Sequence, residues 1–134
     1  MGPEEFDVGR VMAFWLTEAK EALQVADHLM DKSDYSYALF FGHLAIEKLL
    51  KALYAARHHD HAPPIHNLVR LAKAAGIVLT ESQADSLVTI TAFNVEARYP
   101  DMKRSFRQMC TAEYAGRQME SVKGIFAWLR SQIR

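Results

Sequence analysis

Apolar residues recur at helical spacing through the first thirty positions, and this periodicity restricts the fold more than any other feature of the chain. Steps of four and three residues separate the members of the stripe, which are Val8, Met12, Trp15, Ala19, Ala22, Ala26 and Leu29. Such spacing places the side chains on one face of a helix about six turns long. Charged residues such as Glu18 and Asp27 occupy the opposite side, as a solvated face would. Residues 31–34 break the pattern, and Ser33 or Asp34 is able to cap the next helix.

The second predicted helix, over residues 34–58, is apolar almost all the way round. A helix of that kind is usually buried on several sides. The prolines at positions 63 and 64 exclude its continuation, because each disfavours helix at the residue before it. A shorter helix is expected from about His66 to Ala75, and it stops at Gly76, a residue type common immediately after a helix.

A fourth helix is predicted to begin after Thr80 or Ser82, either of which can cap it, and to run to about Ala97. The Tyr99-Pro100 pair then forces the chain out of the helix. The basic stretch 98–107 that follows is predicted to be a loop or an irregular turn.

Thr111 is positioned to cap the last helix. The apolar stripe of this helix consists of Ala115, Met119, Val122, Phe126, Leu129 and Ile133. No segment shows the alternation typical of a β-strand, and no internal repeat is present. The sequence therefore predicts an all-α protein, one domain over residues 1–134. Because the connections are short, we expect an up-and-down antiparallel bundle of four long helices plus one short helix.

The charge balance excludes some functional classes. The 134 residues include sixteen Lys plus Arg and sixteen Asp plus Glu, whereas domains that coat nucleic acid usually have a clear basic excess. The balance hides an asymmetry, since residues 1–65 hold six basic and ten acidic groups and residues 66–134 hold ten basic and six acidic groups. The two parts therefore carry formal charges of −4 and +4.

The cysteine count and the hydropathy pattern indicate a cytoplasmic protein. The single cysteine, Cys110, permits no intramolecular disulfide, which is typical of a reducing compartment. No apolar run approaches the roughly 18 residues needed to cross a bilayer, so no membrane association is expected. The first ten residues lack the basic region of a signal peptide.

A polar stripe interrupts the apolar second helix. It consists of His43, Glu47, Lys51, Tyr54 and His58, with Lys48 beside it. One interpretation is a solvent-facing edge of the bundle, where Glu47 and Lys51 form an ordinary i,i+4 ion pair. The other is a row that lines a cleft and offers a cation, a carboxylate and an imidazole together. The spacing alone does not separate these interpretations.

Other candidate sites are weaker. Four histidines, His58, His59, His61 and His66, lie within nine residues. Their spacing matches no standard zinc signature, so we expect a histidine-rich loop and no functional metal. Cys110 follows Met109 and has the character of a core thiol. Nucleophile arrangements and glycine-rich phosphate loops are absent, and we therefore predict no cofactor and no catalytic residue.

The tetrapeptide from Arg98 to Asp101 has the strongest case for ligand binding. An arginine fork suits bidentate phosphate recognition, and an adjacent tyrosine such as Tyr99 can stack on a base. With Lys103, Arg104 and Arg107, residues 98–107 sum to a charge of +3. In the alternative interpretation, Arg98 caps helix carbonyls or pairs with Glu47 or Asp101.

Four segments of this chain resemble the HEPN family of short helical domains. They are residues 15–19 with Ala22, Leu23 and Ala26, residues 42–54, residues 63–68, and residues 93–101. The resemblance implies a helical up-and-down bundle that commonly forms a homodimer. It also implies, for many members, a minimal nucleotidyltransferase partner in a toxin–antitoxin pair.

Other HEPN proteins are ribonucleases that use an arginine, four to six spacer residues, and then a histidine. In this chain the positions at those distances from Arg98 are Lys103, Arg104 and Ser105, and no histidine follows His66. The imidazole that would move a proton during attack by an RNA 2′-hydroxyl is therefore missing from that motif.

The resulting prediction is a dimeric, non-catalytic module that binds a nucleotide or nucleic acid. Its predicted site groups Arg98, Tyr99, Lys51, Glu47 and His66, on the assumption that the second helix and the end of the fourth face each other. Additional basic contacts are expected from Lys48, Lys103 and Arg104. Two alternatives remain open: an endoribonuclease toxin in which Tyr99 or His66 supplies the proton, and a purely structural dimerisation protein.

Overall fold

The structure is a computed structural model in which residues 6–94 and 100–133 are described. All regular structure in these ranges is helical, and none of their residues lies in a β-strand. The helices are α1 (Val8–Asp31), α2 (Tyr35–His58), α3 (Leu68–Ala74), α4 (Glu81–Thr91), α5 (Pro100–Met109) and α6 (Ala112–Ser131). The prediction of an all-α bundle is confirmed. No helix in the described ranges has an apolar stretch long enough to cross a bilayer.

Helix α2 is the central element, because it packs against each of the other five helices. This explains its composition, since a helix that is buried on several sides has no need of a broad polar face. Helix α1 lies antiparallel along it. Two contacts show this direction: Glu18 meets Lys48, and Trp15, three residues earlier, meets Lys51, three residues later.

Helix α6 runs in the same direction as α2 and approaches it closely at Gly42. A Cβ atom placed on Gly42 would lie 3.3 Å from both methyl carbons of Val122. Further along both helices, Leu53 lines the same cavity as Ile133. The absence of a side chain at position 42 is what permits this approach.

Capping residues account for several of the helix boundaries. The side chains of Thr80 and Gln83 form a reciprocal capping box at the start of α4, and Thr111 accepts a hydrogen bond from a backbone amide of α6, as predicted. Asn67 caps α3, so that helix begins at Leu68 and not at His66. The predicted end of α3 is confirmed, because Gly76 has a φ of +79°.

Two predictions about the region after α4 are wrong. Helix α4 ends at Thr91, well before Ala97, and the stretch predicted as a loop contains α5. Proline is well tolerated at the first position of a helix, and Asp101 in the first turn suits the helix dipole. Helix α5 has few apolar positions and is attached mainly through buried Phe106, whose ring lies 5.8 Å from that of Phe93. The bundle therefore has six helices in its described part, and not four long helices with one short one.

Cys110, immediately after α5, is 8 % exposed and belongs to the hydrophobic core, which confirms that it is a core thiol. Burial raises the pKa of the Cys110 thiol to about 11. We expect iodoacetamide to modify the native chain about a hundredfold more slowly than the chain unfolded in urea, because only the thiolate reacts. Mass spectrometry of samples quenched over time measures both rates. Equal rates would show that this thiol is accessible in the native protein.

Candidate functional site

The polar stripe of α2 faces the interior at its first two positions. His43 is fully buried and Glu47 is 4 % exposed. A solvent-facing edge is therefore the wrong interpretation for these two residues. The physical reason is the central place of α2, which packs against all five other helices.

The carboxylate of Glu47 holds three nitrogen-bearing side chains around it. Its Oε1 atom accepts a hydrogen bond of 2.9 Å from Nδ1 of His66. Its Oε2 atom lies 3.3 Å from Nζ of Lys51, and Nε2 of His43 lies 3.8 Å from Oε1. These four residues are called the Glu47 cluster below. A buried carboxylate needs such partners, because an unpaired buried charge is strongly unfavourable.

Lys51 is held from a second side by α1. Its Nζ atom lies 4.7 Å from the centre of the Trp15 ring, in the geometry of a cation–π contact. The Lys51 side chain is 16 % exposed, whereas that of His66 is 65 % exposed. The Glu47 cluster therefore reaches the surface mainly through the His66 imidazole.

His43 contacts the main chain of the connection between α2 and α3, which contains His66. Its Nε2 atom donates to the carbonyl oxygen of His66 over 3.3 Å, since a carbonyl can only accept. Its Nδ1 atom is buried and has no hydrogen-bond partner. Burial lowers the pKa of His43 below its ordinary value, and the nearby Glu47 carboxylate only partly offsets this effect.

Residues 66–68 connect the Glu47 cluster to the end of α4. The backbone amide of Leu68 donates to Oγ1 of Thr91 over 3.1 Å, and that hydroxyl donates in turn to the carbonyl oxygen of Leu87. Helices α2 and α4 are also in direct contact. The end of α4, at Thr91, thus lies beside the loop that supplies His66.

The other predicted site residues lie in different places. Arg98 and Tyr99 lie outside the described residues. Lys48 pairs with Glu18 of α1 at 3.3 Å. Lys103 is half-buried and Arg104 is exposed, both on α5. The structure therefore brings Glu47, Lys51 and His66 together among the residues predicted to bind a ligand.

The side chains of the clustered histidines do not come together at one site. The His58 ring packs against Tyr54, and the His61 ring packs edge-on against Phe6. Within residues 6–94 and 100–133, no three His, Cys, Asp or Glu side chains are arranged to hold a metal ion.

The predicted site did not include His43, although this residue belongs to the polar stripe of α2. One signal was available. A histidine one turn before Glu47, on a helix that is apolar on every other side, is expected to be buried with it. Its role becomes visible only through the contact with the carbonyl of His66, which depends on the path of a loop more than twenty residues later.

The protein is a helical-bundle protein with a polar cluster buried on its central helix. Comparison of its sequence with protein-family models identifies the family. The HEPN domain model matches residues 12–132, and the chain belongs to the HEPN domain family. The crystal structure of TT1696 from Thermus thermophilus shares the fold, with a TM-score of 0.78 and 21 % sequence identity. The similarity covers 91 % of this chain and 98 % of TT1696. No curated protein sequence matches this chain.

Proposed function

We propose that this HEPN protein binds a nucleotide, or another small phosphorylated ligand, at the Glu47 cluster without catalysing a reaction. One observation carries the proposal: a single buried carboxylate fixes both a lysine and a histidine beside the end of α4, the segment that leads into the Arg98-Tyr99 pair.

The cluster offers two positioned side chains, Lys51 and His66, to a phosphate group. Glu47 sets the positions of Lys51 and His66, so less side-chain freedom is lost when a ligand binds. Arg98 follows Thr91 by seven residues, and an extended chain spans at most about 3.6 Å per residue, so Arg98 is within reach of His66. In this proposal Arg98 forks a phosphate, Lys51 and His66 add charge or a hydrogen bond, and Tyr99 stacks on the base.

The overall charge supports a small ligand. A long polyanion is held by many phosphate contacts over an exposed basic surface, and this chain has a formal net charge of zero. Lys48, Lys103 and Arg104 are further basic contacts in the proposal. They lie on two different helices, so they extend the site and do not form its centre.

Isothermal titration calorimetry with ATP, GTP and a short single-stranded RNA at low salt tests this proposal. We expect a nucleotide to bind, and we expect Arg98→Ala and Lys51→Met each to weaken binding at least tenfold, about 1.4 kcal/mol. Lys123→Met, which removes an exposed lysine paired with Asp27 of α1, is the control and should change little. Absence of binding, or equal affinities for wild type and Arg98→Ala, would refute the site.

One observation favours a second candidate, an endoribonuclease. Glu47 engages Nδ1 of His66, which leaves Nε2 of this largely exposed imidazole available for proton transfer. His66 would then accept the proton of an RNA 2′-hydroxyl as that oxygen attacks the neighbouring phosphorus. A 2′,3′-cyclic phosphate forms, the bond from phosphorus to the 5′-oxygen breaks, and water protonates the departing 5′-oxygen. Incubation of the purified protein with total RNA decides between the two candidates. Cleavage that disappears in both His66→Ala and Arg98→Ala supports the nuclease, and cleavage that persists in His66→Ala excludes this role.

We also propose that the protein forms a homodimer through the face that α4 and α5 share. A cavity of about 290 Å³ lies between α4, α5 and α6 and is lined mainly by apolar side chains. Two of its lining residues, Met102 and Met109, are 46 % and 50 % exposed, and Val88 nearby on α4 is 61 % exposed. Surface clusters of large apolar residues often mark interaction sites.

The charges of the two helices favour a second copy of this chain as the occupant of that face. Helix α4 contains Glu81 and Asp85 and no basic residue, whereas α5 has three basic residues and one acidic residue, Asp101. A two-fold axis through the apolar cavity places α4 of each protomer against α5 of the other. The acidic helix then meets the basic one on both sides of the axis.

Met102→Glu is therefore expected to convert the dimer to a monomer, because it buries an unpaired charge in the interface. Size-exclusion chromatography with light scattering gives the mass in solution. Val78→Glu is the matched control, since Val78 is 89 % exposed in the connection between α3 and α4. A Met102→Glu protein that remains dimeric would place the interface elsewhere.

Membership of the HEPN family also supports a minimal nucleotidyltransferase as the partner protein, as one half of a toxin–antitoxin pair. Co-expression with the product of an adjacent nucleotidyltransferase gene, followed by co-purification, tests this part. The purely structural alternative makes a different prediction. The wild-type chain would form a dimer that binds neither nucleotide nor RNA, and the dimer of Arg98→Ala would dissociate more readily than that of wild type.

A further inference from the structure

Two residues one turn apart on α2 hold different parts of His66. Glu47 accepts a hydrogen bond from the His66 side chain at 2.9 Å, while His43 donates to the His66 backbone carbonyl at 3.3 Å. The amide of Leu68 is held separately by Thr91 of α4. The main chain that positions the His66 imidazole is therefore held at two points, by His43 at the His66 carbonyl and by Thr91 at the Leu68 amide.

This arrangement suits only one protonation state of His43. Donation to the His66 carbonyl requires a proton on Nε2, and in the neutral ring Nδ1 then has only a lone pair to satisfy. A second proton would place an N–H group at Nδ1, which is buried without a partner. A buried donor without an acceptor is unfavourable, because it loses its hydrogen bond to water and gains none in return.

The groups around His43 act in opposite directions. Glu47, one turn further along α2, favours the charged ring, whereas Lys51 and His66 disfavour it. Burial is the largest influence and lowers the pKa of His43, which agrees with the geometric argument for a neutral ring. A charged His43 would also draw Oε1 of Glu47 toward itself, since that oxygen is already 3.8 Å from Nε2.

We propose that His43 is the positioning residue of the binding site and that its protonation releases His66 from Glu47. A neutral His43 holds the loop carbonyl and leaves Glu47 free to orient the His66 imidazole toward the ligand. A protonated His43 competes with His66 for the Glu47 carboxylate. Opening of the loop at His66 would give the unpaired Nδ1–H group of His43 access to water. Ligand affinity therefore falls as the pH decreases. This inference rests on the proposed function, because it describes how the same site is regulated.

Two variants of His43 separate positioning from a merely structural role. His43→Gln keeps a side-chain N–H donor but cannot be protonated, and His43→Leu fills the space with no donor. We expect ATP affinity at pH 7.5 to fall at least tenfold in His43→Leu and to stay within about threefold of wild type in His43→Gln. Between pH 7.5 and 5.0, wild-type affinity should fall at least about threefold more than that of His43→Gln, with the difference concentrated at the acidic end because burial lowers the pKa of His43. Protonation of ATP itself affects both proteins alike.

His59→Gln is the control, since His59 is an exposed histidine of the same loop and its loss should leave the wild-type pH profile unchanged. Long-range ¹H–¹⁵N NMR spectra of the histidine rings give a readout that needs no ligand. At pH 7.5 we expect a neutral His43 with its proton on Nε2, and a His66 with its proton on Nδ1 that is retained in His43→Gln and lost in His43→Leu.

Identical pH dependence of ATP binding in wild type and His43→Gln would overturn the inference, as would a doubly protonated His43 at pH 7.5. If no protein binds ATP, the proposed function fails. The NMR spectra then still decide whether His43 positions His66.

Discussion

Replacing Glu47 with leucine is expected to lower the free energy of unfolding by about 3 kcal/mol, which is typical when one partner of a buried ion pair is removed. The change leaves Lys51, mostly buried between α1 and α2, without its carboxylate, and it releases the His66 side chain. Urea denaturation followed by circular dichroism measures the difference. The double variant Glu47→Leu/Lys51→Met should recover at least about 1 kcal/mol, because it removes the unpaired charge as well.

An exposed ion pair of the same molecule is the comparison. Asp27 and Lys123 lie 2.7 Å apart, closer than Glu47 and Lys51, but their side chains are 48 % and 49 % exposed. Asp27→Asn should therefore cost less than about 0.5 kcal/mol. If the two single variants were equally stable, burial of the Glu47 cluster would have no energetic consequence, and Glu47 would not be what holds Lys51 and His66 in place.

Replacing Gly42 with leucine is expected to cost about 3 kcal/mol, because it overpacks the contact between the central helix and α6. Even a Cβ atom at this position would lie 3.3 Å from the methyl groups of Val122, which is fully buried, and a leucine adds three more carbon atoms to the same contact. Thermal unfolding monitored by circular dichroism gives the loss of stability.

Gly124 provides the opposite case on the same pair of helices. A Cβ atom on Gly124 would have no neighbour within 4 Å. Gly124→Ala should therefore raise stability by about 0.5–1 kcal/mol, since glycine disfavours the helical state relative to alanine. A tolerated leucine at position 42 would mean that α2 and α6 are further apart than the structure shows.

Much of the fold follows from local sequence signals. The stripes of α1 and α6, the near-continuous apolar surface of α2, and the caps at Thr80 and Thr111 predict helices where the structure has them. Helix α5 was missed for a physical reason. Its ten residues include a single buried one, Phe106, so it lacks the apolar periodicity by which helices are recognised, and its packing depends on Phe93 from a different part of the chain.

The site was predictable only in part. The spacing of Glu47 and Lys51 on one helix makes their ion pair a local prediction. The contact of Glu47 with His66 spans nineteen residues, and that of His43 with the His66 carbonyl spans twenty-three. Contacts of this kind depend on where a loop returns to the bundle, and no local pattern specifies that position.

The sequence by itself determined an all-helical chain, a central helix buried on several sides, and the resemblance to the HEPN family that the family match now establishes. These features depend on residue periodicity within single helices, which is a local property. Tertiary structure decided that the first two positions of the polar stripe of α2, His43 and Glu47, are buried and do not form a solvent edge. Whether a polar side chain is buried depends on what packs over it, and the segments that cover Glu47 come from distant parts of the chain.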